Sequence, residues 1–231
     1  MTARGVAVVV CAFAASFAAG VVVAAETVGR LEFELPSPTW KLVASTEHPL
    51  RYQRGIEIPL FTKVYVLPGT AAVPKAMLIV TSTSGSHPGR TQWVTERCPE
   101  PRARYFATDF DTNKLIRVRE CIVVNPAFVA ANYFGSADPL QQAIKDAGVA
   151  LPPSAYSLRS LVGLDGGTLV RVHLIAAKSF VGLPNATPAA SDTHGVMPEL
   201  VAWAEALHAA VKDSTGLGGR LRLPSIEFKD P

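Results

Sequence analysis

Alternating apolar and charged residues mark the first predicted strand of the chain. The alternating residues are Leu31, Glu32, Phe33, Glu34 and Leu35, and two prolines, Pro36 and Pro38, follow them. This alternation places the apolar side chains on one face and both carboxylates on the other, and the prolines end the pattern. The sequence therefore predicts a strand over residues 31–35 with one face exposed to solvent.

Pairs of apolar, β-branched runs predict antiparallel hairpins. The pairs are 63–67 with 76–83, 105–110 with 115–124, and 156–164 with 168–177. Residues that favour turns join the two runs of each pair. The last connector, Asp165 to Gly167, begins with Asp-Gly, a dipeptide that tolerates the positive φ of a tight hairpin.

Apolar residues at helical spacing predict helices between and after the hairpins. A short helix over 92–98 is stopped by Pro99, a second begins at the Asp138–Pro139 cap and ends at Gly148, and a third begins at Pro198. The apolar stripe of the third helix is Leu200, Trp203, Leu207 and Val211. Hairpins interrupted by a few helices predict an α+β fold, in which helices, including a long C-terminal one, cover a mainly antiparallel sheet.

The two ends of the predicted domain carry similar apolar spacing with opposite charge. If residues 29–37 and 219–225 were neighbouring strands, Glu32 and Glu34 would lie opposite Arg220 and Arg222. Two interpretations of the C-terminal segment stay open, an edge strand beside the first strand and a loose tail.

The N-terminal residues have the layout of a secretory signal. Arg4 precedes an uncharged apolar run over 5–25, and small residues end that run before Glu26. We predict a signal peptide over 1–25, cleaved after Ala25, with an uncleaved membrane anchor as the alternative. The remaining residues, 26–231, fit a single α+β domain in the periplasm or the extracellular medium.

Charge excludes two classes of partner. The chain has 22 Lys and Arg against 19 Asp and Glu, and the predicted leader removes only Arg4 from this balance. A balance this even does not indicate a nucleic-acid footprint or a polybasic membrane surface. We therefore predict no nucleic-acid partner and no membrane span after signal cleavage.

Two cysteines, Cys98 and Cys121, lie outside the predicted leader. An exported chain folds where thiols oxidise, so we predict a disulfide between them. Zinc-ligand spacing and the Cys-x-x-Cys redox motif are both absent from the sequence. Closing this loop stabilises the fold by about 3 kcal/mol in the chain-entropy account.

Catalytic and metal motifs are weak along the whole sequence. The best candidate is the loop with Ser84, Ser86 and His87, which follows an apolar strand and precedes a predicted helix. It lacks the Gly-x-Ser-x-Gly pattern of a nucleophile turn, and the five histidines show no metal-ligand spacing. We predict no metal and no cofactor, and a small hydrolase at this loop is kept as the alternative function.

Strand alternation points to a basic face. Arg117 and Arg119 share one face of their predicted strand, and Arg171 and His173 share one face of a later strand. If these strands are neighbours, the four side chains can bind a small anionic ligand or an acidic envelope protein. The alternative is a solvated sheet face neutralised by acidic side chains from neighbouring strands.

In element order and compartment, the chain resembles the small exported α/β sandwiches of the Mog1 and PsbP type. It is also similar in general character to uncharacterised exported proteins of Gram-negative bacteria. Neither resemblance implies an activity. By elimination, the sequence predicts an exported, non-catalytic binding or accessory protein of the bacterial cell envelope.

Overall fold

A computed structural model describes most of the predicted domain. The described residues are 25–37, 39–51, 57–69, 72–84, 105–111, 118–128, 139–152, 155–164, 168–181, 198–215 and 219–224. Their strands are β1 (Ala25–Val28), β2 (Leu31–Glu34), β3 (Lys41–Arg51), β4 (Glu57–Leu67), β5 (Ala76–Thr83), β6 (Tyr105–Asp111), β7 (Val118–Phe128), β8 (Ala155–Leu164), β9 (Thr168–Ala177) and β10 (Arg220–Arg222). Their helices are α1 (Pro139–Asp146), α2 (Lys178–Val181) and α3 (Pro198–Ser214).

A seven-stranded antiparallel sheet forms the centre of the fold, in the order β3-β4-β5-β9-β8-β7-β6. Two runs of consecutive hairpin strands, β3 to β5 and β6 to β9, are joined where β5 pairs with β9. This junction sets Leu78 opposite Leu174 and Thr81 opposite Arg171. The predicted α+β architecture is confirmed, with helices on both faces of the sheet.

The first face of the large sheet packs against α3 and holds the main core. The stripe of α3 buries Leu200, Leu207 and Val211 completely or almost completely. It contacts strand residues such as Leu158 and Val172 in one continuous apolar cluster. Because α3 lies across the middle strands, the side chains beneath it are removed from water.

The second face carries α1 at one end and polar residues in its middle. Ile144 of α1 is fully buried among Val64, Met77 and Ile175. Gly148 ends this helix at a φ of 71°, and Val149 N donates to Ile144 O, as in a Schellman cap. A separate apolar cluster at the far end of this face includes Leu60, Cys121, Leu161 and Leu169.

A small sheet in the order β1-β2-β10 joins the two ends of the described chain. β10 runs parallel to β2, with Arg220 opposite Glu32 and Arg222 opposite Glu34. Arg220 donates to both glutamates, at 3.4 Å to Glu32 and 3.1 Å to Glu34. Of the two interpretations left open by the sequence, the described residues form the edge strand.

The predicted hairpins and the helices starting at 139 and 198 are present, but several elements were missed. β1, β3, the first half of β4 and α2 did not appear in the sequence pattern. α3, predicted as a long C-terminal helix, has only 17 residues and is followed by β10. The predicted helix over 92–98 and residues 1–24 of the predicted leader (1–25) lie outside the described residues, while Ala25, the last residue of that leader, begins β1. No helix within the described ranges has the length and apolar character to span a bilayer.

Candidate functional site

Three arginines and a histidine share the second face of the large sheet. Arg171 and His173 alternate on β9, and Arg159 of β8 lies directly opposite His173. Arg119 of β7 lies opposite Gly163, which is on the same face of β8 as Arg159. We call Arg119, Arg159, Arg171 and His173 the arginine cluster.

The two strands of the predicted basic face are not neighbours, so the condition set for that face is not met. β8 lies between β7 and β9, because the chain returns through β8 before it forms β9. The intervening strand contributes Arg159, which the sequence interpretation missed although it is the only charged residue of β8. Arg117 lies outside the described residues, so its part in the face stays a prediction.

The centre of the cluster is buried, unlike the solvated sheet face of the alternative interpretation. His173 is only 1% exposed, and its ring contacts Phe128 edge-on at a centroid distance of 5.7 Å. The Ser157 hydroxyl and His173 Nε2 are 2.7 Å apart and form a buried hydrogen bond. Arg119, Arg159 and Arg171 are each half-buried.

His173 does not supply the positive charge that its residue type suggested. Burial lowers the pKa of its imidazole well below the ordinary 6.5, and the charges of Arg159 and Arg171 lower it further. The ring is therefore neutral at neutral pH. The charge of the cluster comes from the guanidinium groups, which stay protonated at any physiological pH.

The strands of the large sheet place no acidic residue on the face of the arginine cluster. Their acidic residues occupy register positions on the opposite face: Glu47, Glu57, Asp109, Asp111 and Glu120. No ion pair or hydrogen bond joins the Arg171 guanidinium to another described residue. The described strands therefore place no carboxylate at a register position on the face of the arginine cluster.

A second polar cluster lies on the opposite face, beneath α3. The Ser160 hydroxyl is 2.9 Å from His208 Nδ1, and His208 Nε2 is 3.1 Å from a Glu120 oxygen. Lys212 Nζ completes it at 2.8 Å from the other oxygen of Glu120. Burial by itself raises the pKa of Glu120, but hydrogen bonds from Lys212 and His208 outweigh it and hold that pKa below 4.5.

This Ser-His-Glu arrangement has the residue types of a catalytic triad but the surroundings of a structural network. Ser160 is completely buried in the middle of β8, so substrate cannot reach its hydroxyl. The hydrogen bonds instead satisfy polar groups between α3 and the sheet. Sequence analysis missed the network because its partners are 48 and 88 residues apart along the chain.

The structure describes only one of the three residues of the predicted hydrolase loop. Ser84 is exposed just after β5, while Ser86 and His87 lie outside the described residues, so the hydrolase loop stays a prediction. Within the described ranges, no group of three or more His, Cys, Asp or Glu residues is placed to hold a metal.

Cys121 lies on the face of the arginine cluster. It is opposite Leu161, which is in turn opposite Arg171. Cys121 is buried and disulfide-bonded. Cys98 lies outside the described residues, so the pairing of these two cysteines stays a prediction.

Comparison with known proteins gives no match. No protein-family model, no curated protein and no solved structure matches the chain. The resemblance to Mog1 and PsbP sandwiches therefore stays an expectation, and the functional argument rests on the residues themselves.

Proposed function

We propose that the protein is an exported, non-catalytic binding or accessory protein of the bacterial cell envelope, and that its arginine cluster binds an anionic group. The observation that carries this proposal is the grouping of Arg119, Arg159 and Arg171 on three neighbouring strands, on a face without strand carboxylates. The bound group is a small carboxylate or phosphate ligand, or an acidic segment of an envelope protein. The signal-like leader supports the export part of the proposal.

The chemistry of the cluster favours binding over catalysis. Guanidinium groups do not exchange protons near neutral pH, but they present paired N–H donors that match carboxylate and phosphate oxygens. Half-burial strengthens these contacts, because the local dielectric is lower than that of water.

Removing two guanidiniums tests the proposal. We expect Arg159→Gln with Arg171→Gln to weaken sulfate binding by about tenfold or more, because a hydrogen bond to a charged group contributes roughly 1.5 to 3 kcal/mol. Isothermal titration of the 26–231 chain with sodium sulfate at low ionic strength measures the affinity. Arg171→Gln alone serves as a milder variant if the double variant fails to fold.

The matched control removes the same charge from the small sheet. Arg220→Gln with Arg222→Gln deletes two arginines that lie beside Glu32 and Glu34, in a different sheet from the cluster. This control should keep wild-type sulfate affinity, apart from a small loss of long-range attraction. The proposal is wrong if both double variants bind sulfate equally, or if the wild type does not bind it.

A further inference from the structure

His173 lies where a bound anion would change its protonation. Arg159 is its direct cross-strand neighbour, and Arg171 is two residues away on the same face of β9. Both guanidiniums oppose a proton on the imidazole, which is why they add to the effect of burial on its pKa. An anion held by these arginines neutralises their field and adds a negative charge close to the ring.

The ring can accept a proton without losing its hydrogen bond. Ser157 Oγ is 2.7 Å from His173 Nε2, and a hydroxyl can either donate or accept. Ser157 therefore donates to Nε2 when that nitrogen is unprotonated, and accepts from Nε2–H when the ring is charged. A backbone amide in its place would serve only one of these two states.

Burial is the main obstacle to a charged His173, and among the described strand neighbours only the two arginines add an opposing charge. β5 presents Ile79 directly opposite the histidine, and β7 presents the Phe128 ring. Among the described residues, the charged groups whose effect on His173 is resolved are Arg159 and Arg171. Anion binding removes the opposition of these two arginines and adds a negative charge beside the ring, and both changes favour the protonated imidazole against the effect of burial.

We infer that anion binding at the arginine cluster is coupled to uptake of one proton by His173, so that affinity for anions rises as the pH falls. This inference rests on the proposed function of the cluster. The proton comes from solvent and stays on the imidazole while the anion is bound. Because one proton is involved, affinity can rise by at most about tenfold per pH unit. The protein would bind its anion most tightly at acidic pH and release it as the pH rises towards neutral.

Sulfate is the probe for this coupling, because it stays a dianion between pH values of about 5 and 8. We expect sulfate affinity of the 26–231 chain to rise as the pH is lowered over this range. Titrations in two buffers of different ionisation enthalpy should show uptake of up to one proton per sulfate. His173→Asn should bind sulfate with an affinity that does not change with pH, and His208→Gln, which alters a histidine on the opposite face, should keep the wild-type pH dependence.

The outcomes separate this inference from the proposed function. Sulfate binding without pH dependence and without proton uptake overturns the coupling and leaves the binding site standing. Sulfate binding at no pH overturns both. If His173→Asn does not fold, NMR of the wild-type imidazole carbons still decides, because the coupling requires sulfate to shift the His173 titration to higher pH.

Discussion

The turn between β1 and β2 allows a quantitative test of how the small sheet is attached. Gly29 has a φ of 57°, and a Cβ added there would lie 2.4 Å from the Thr83 carbonyl oxygen and 2.9 Å from its carbon. Both atoms belong to the backbone of β5, so they cannot rotate away. We therefore expect Gly29→Ala to push the turn off the end of β5.

The cost follows from the contacts that this displacement breaks. Arg30 N donates to Thr83 O at 3.1 Å, and Arg30 Nη1 donates to Thr168 Oγ1 at 2.9 Å. Losing both hydrogen bonds costs about 1 to 3 kcal/mol, and a left-handed alanine costs about 1 to 2 kcal/mol. Alanine also stabilises the folded state by about 0.4 to 1 kcal/mol, because it lowers the conformational entropy of the unfolded chain. We expect Gly29→Ala to lower the free energy of unfolding by about 1 to 5 kcal/mol.

Gly148→Ala is the matched control, because it separates backbone strain from crowding. Gly148 also has a positive φ, of 71°, but an added Cβ would meet nothing within 4 Å. Gly148→Ala should therefore cost only the left-handed strain, about 1.6 kcal/mol or less after the gain from the unfolded state. Urea unfolding of both variants, followed by circular dichroism, measures the difference. If Gly29→Ala destabilises the protein no more than Gly148→Ala, the close contact with β5 does not hold the small sheet in place.

Two further predictions concern the cysteines and the network beneath α3. Thiol titration of the denatured, unreduced 26–231 chain should find no free thiol. Two titratable thiols would contradict the bond between Cys98 and Cys121. Cys121→Ala should lower the free energy of unfolding by about 3 kcal/mol. Glu120→Gln should lower the free energy of unfolding at neutral pH by about 1 to 2 kcal/mol, because it removes a charged acceptor from His208 and Lys212. The pKa of Glu120 is lowered in the folded state, so its contribution is present above about pH 4.5 and is lost as the pH falls through the folded-state pKa. Urea unfolding at several pH values should therefore show the variant and the wild type converging in acid, and a constant difference would contradict this account.

The arginine cluster shows how far strand alternation can be taken towards a site. Alternation correctly assigned Arg171 and His173 to one face of β9, because that assignment depends only on the geometry of a single strand. It could not reveal that β8 separates β7 from β9. Nor could it reveal that His173 is buried and neutral, since burial depends on what packs against the face.

Local sequence signals were sufficient for the paired hairpin strands and for the ends of α1. The proline that begins α1 at residue 139 and the glycine that ends it at residue 148 both act over a few residues, so the sequence displays them directly. The opposite charges of residues 32–34 and 220–222 suggested a pairing only as one of two interpretations, and the structure contains that pairing.

Only the tertiary structure determines the contacts between segments that are distant in sequence. β3 contains few regularly alternating apolar residues, and it is a strand because it pairs along its length with β4. The junction of β5 with β9 joins two runs of strands without a local signal. The Ser160, His208 and Glu120 network forms because α3 packs across β7 and β8, and this packing is driven by apolar burial along the whole helix. A residue's chemistry is visible in the sequence, but its neighbours and its dielectric surroundings follow from packing.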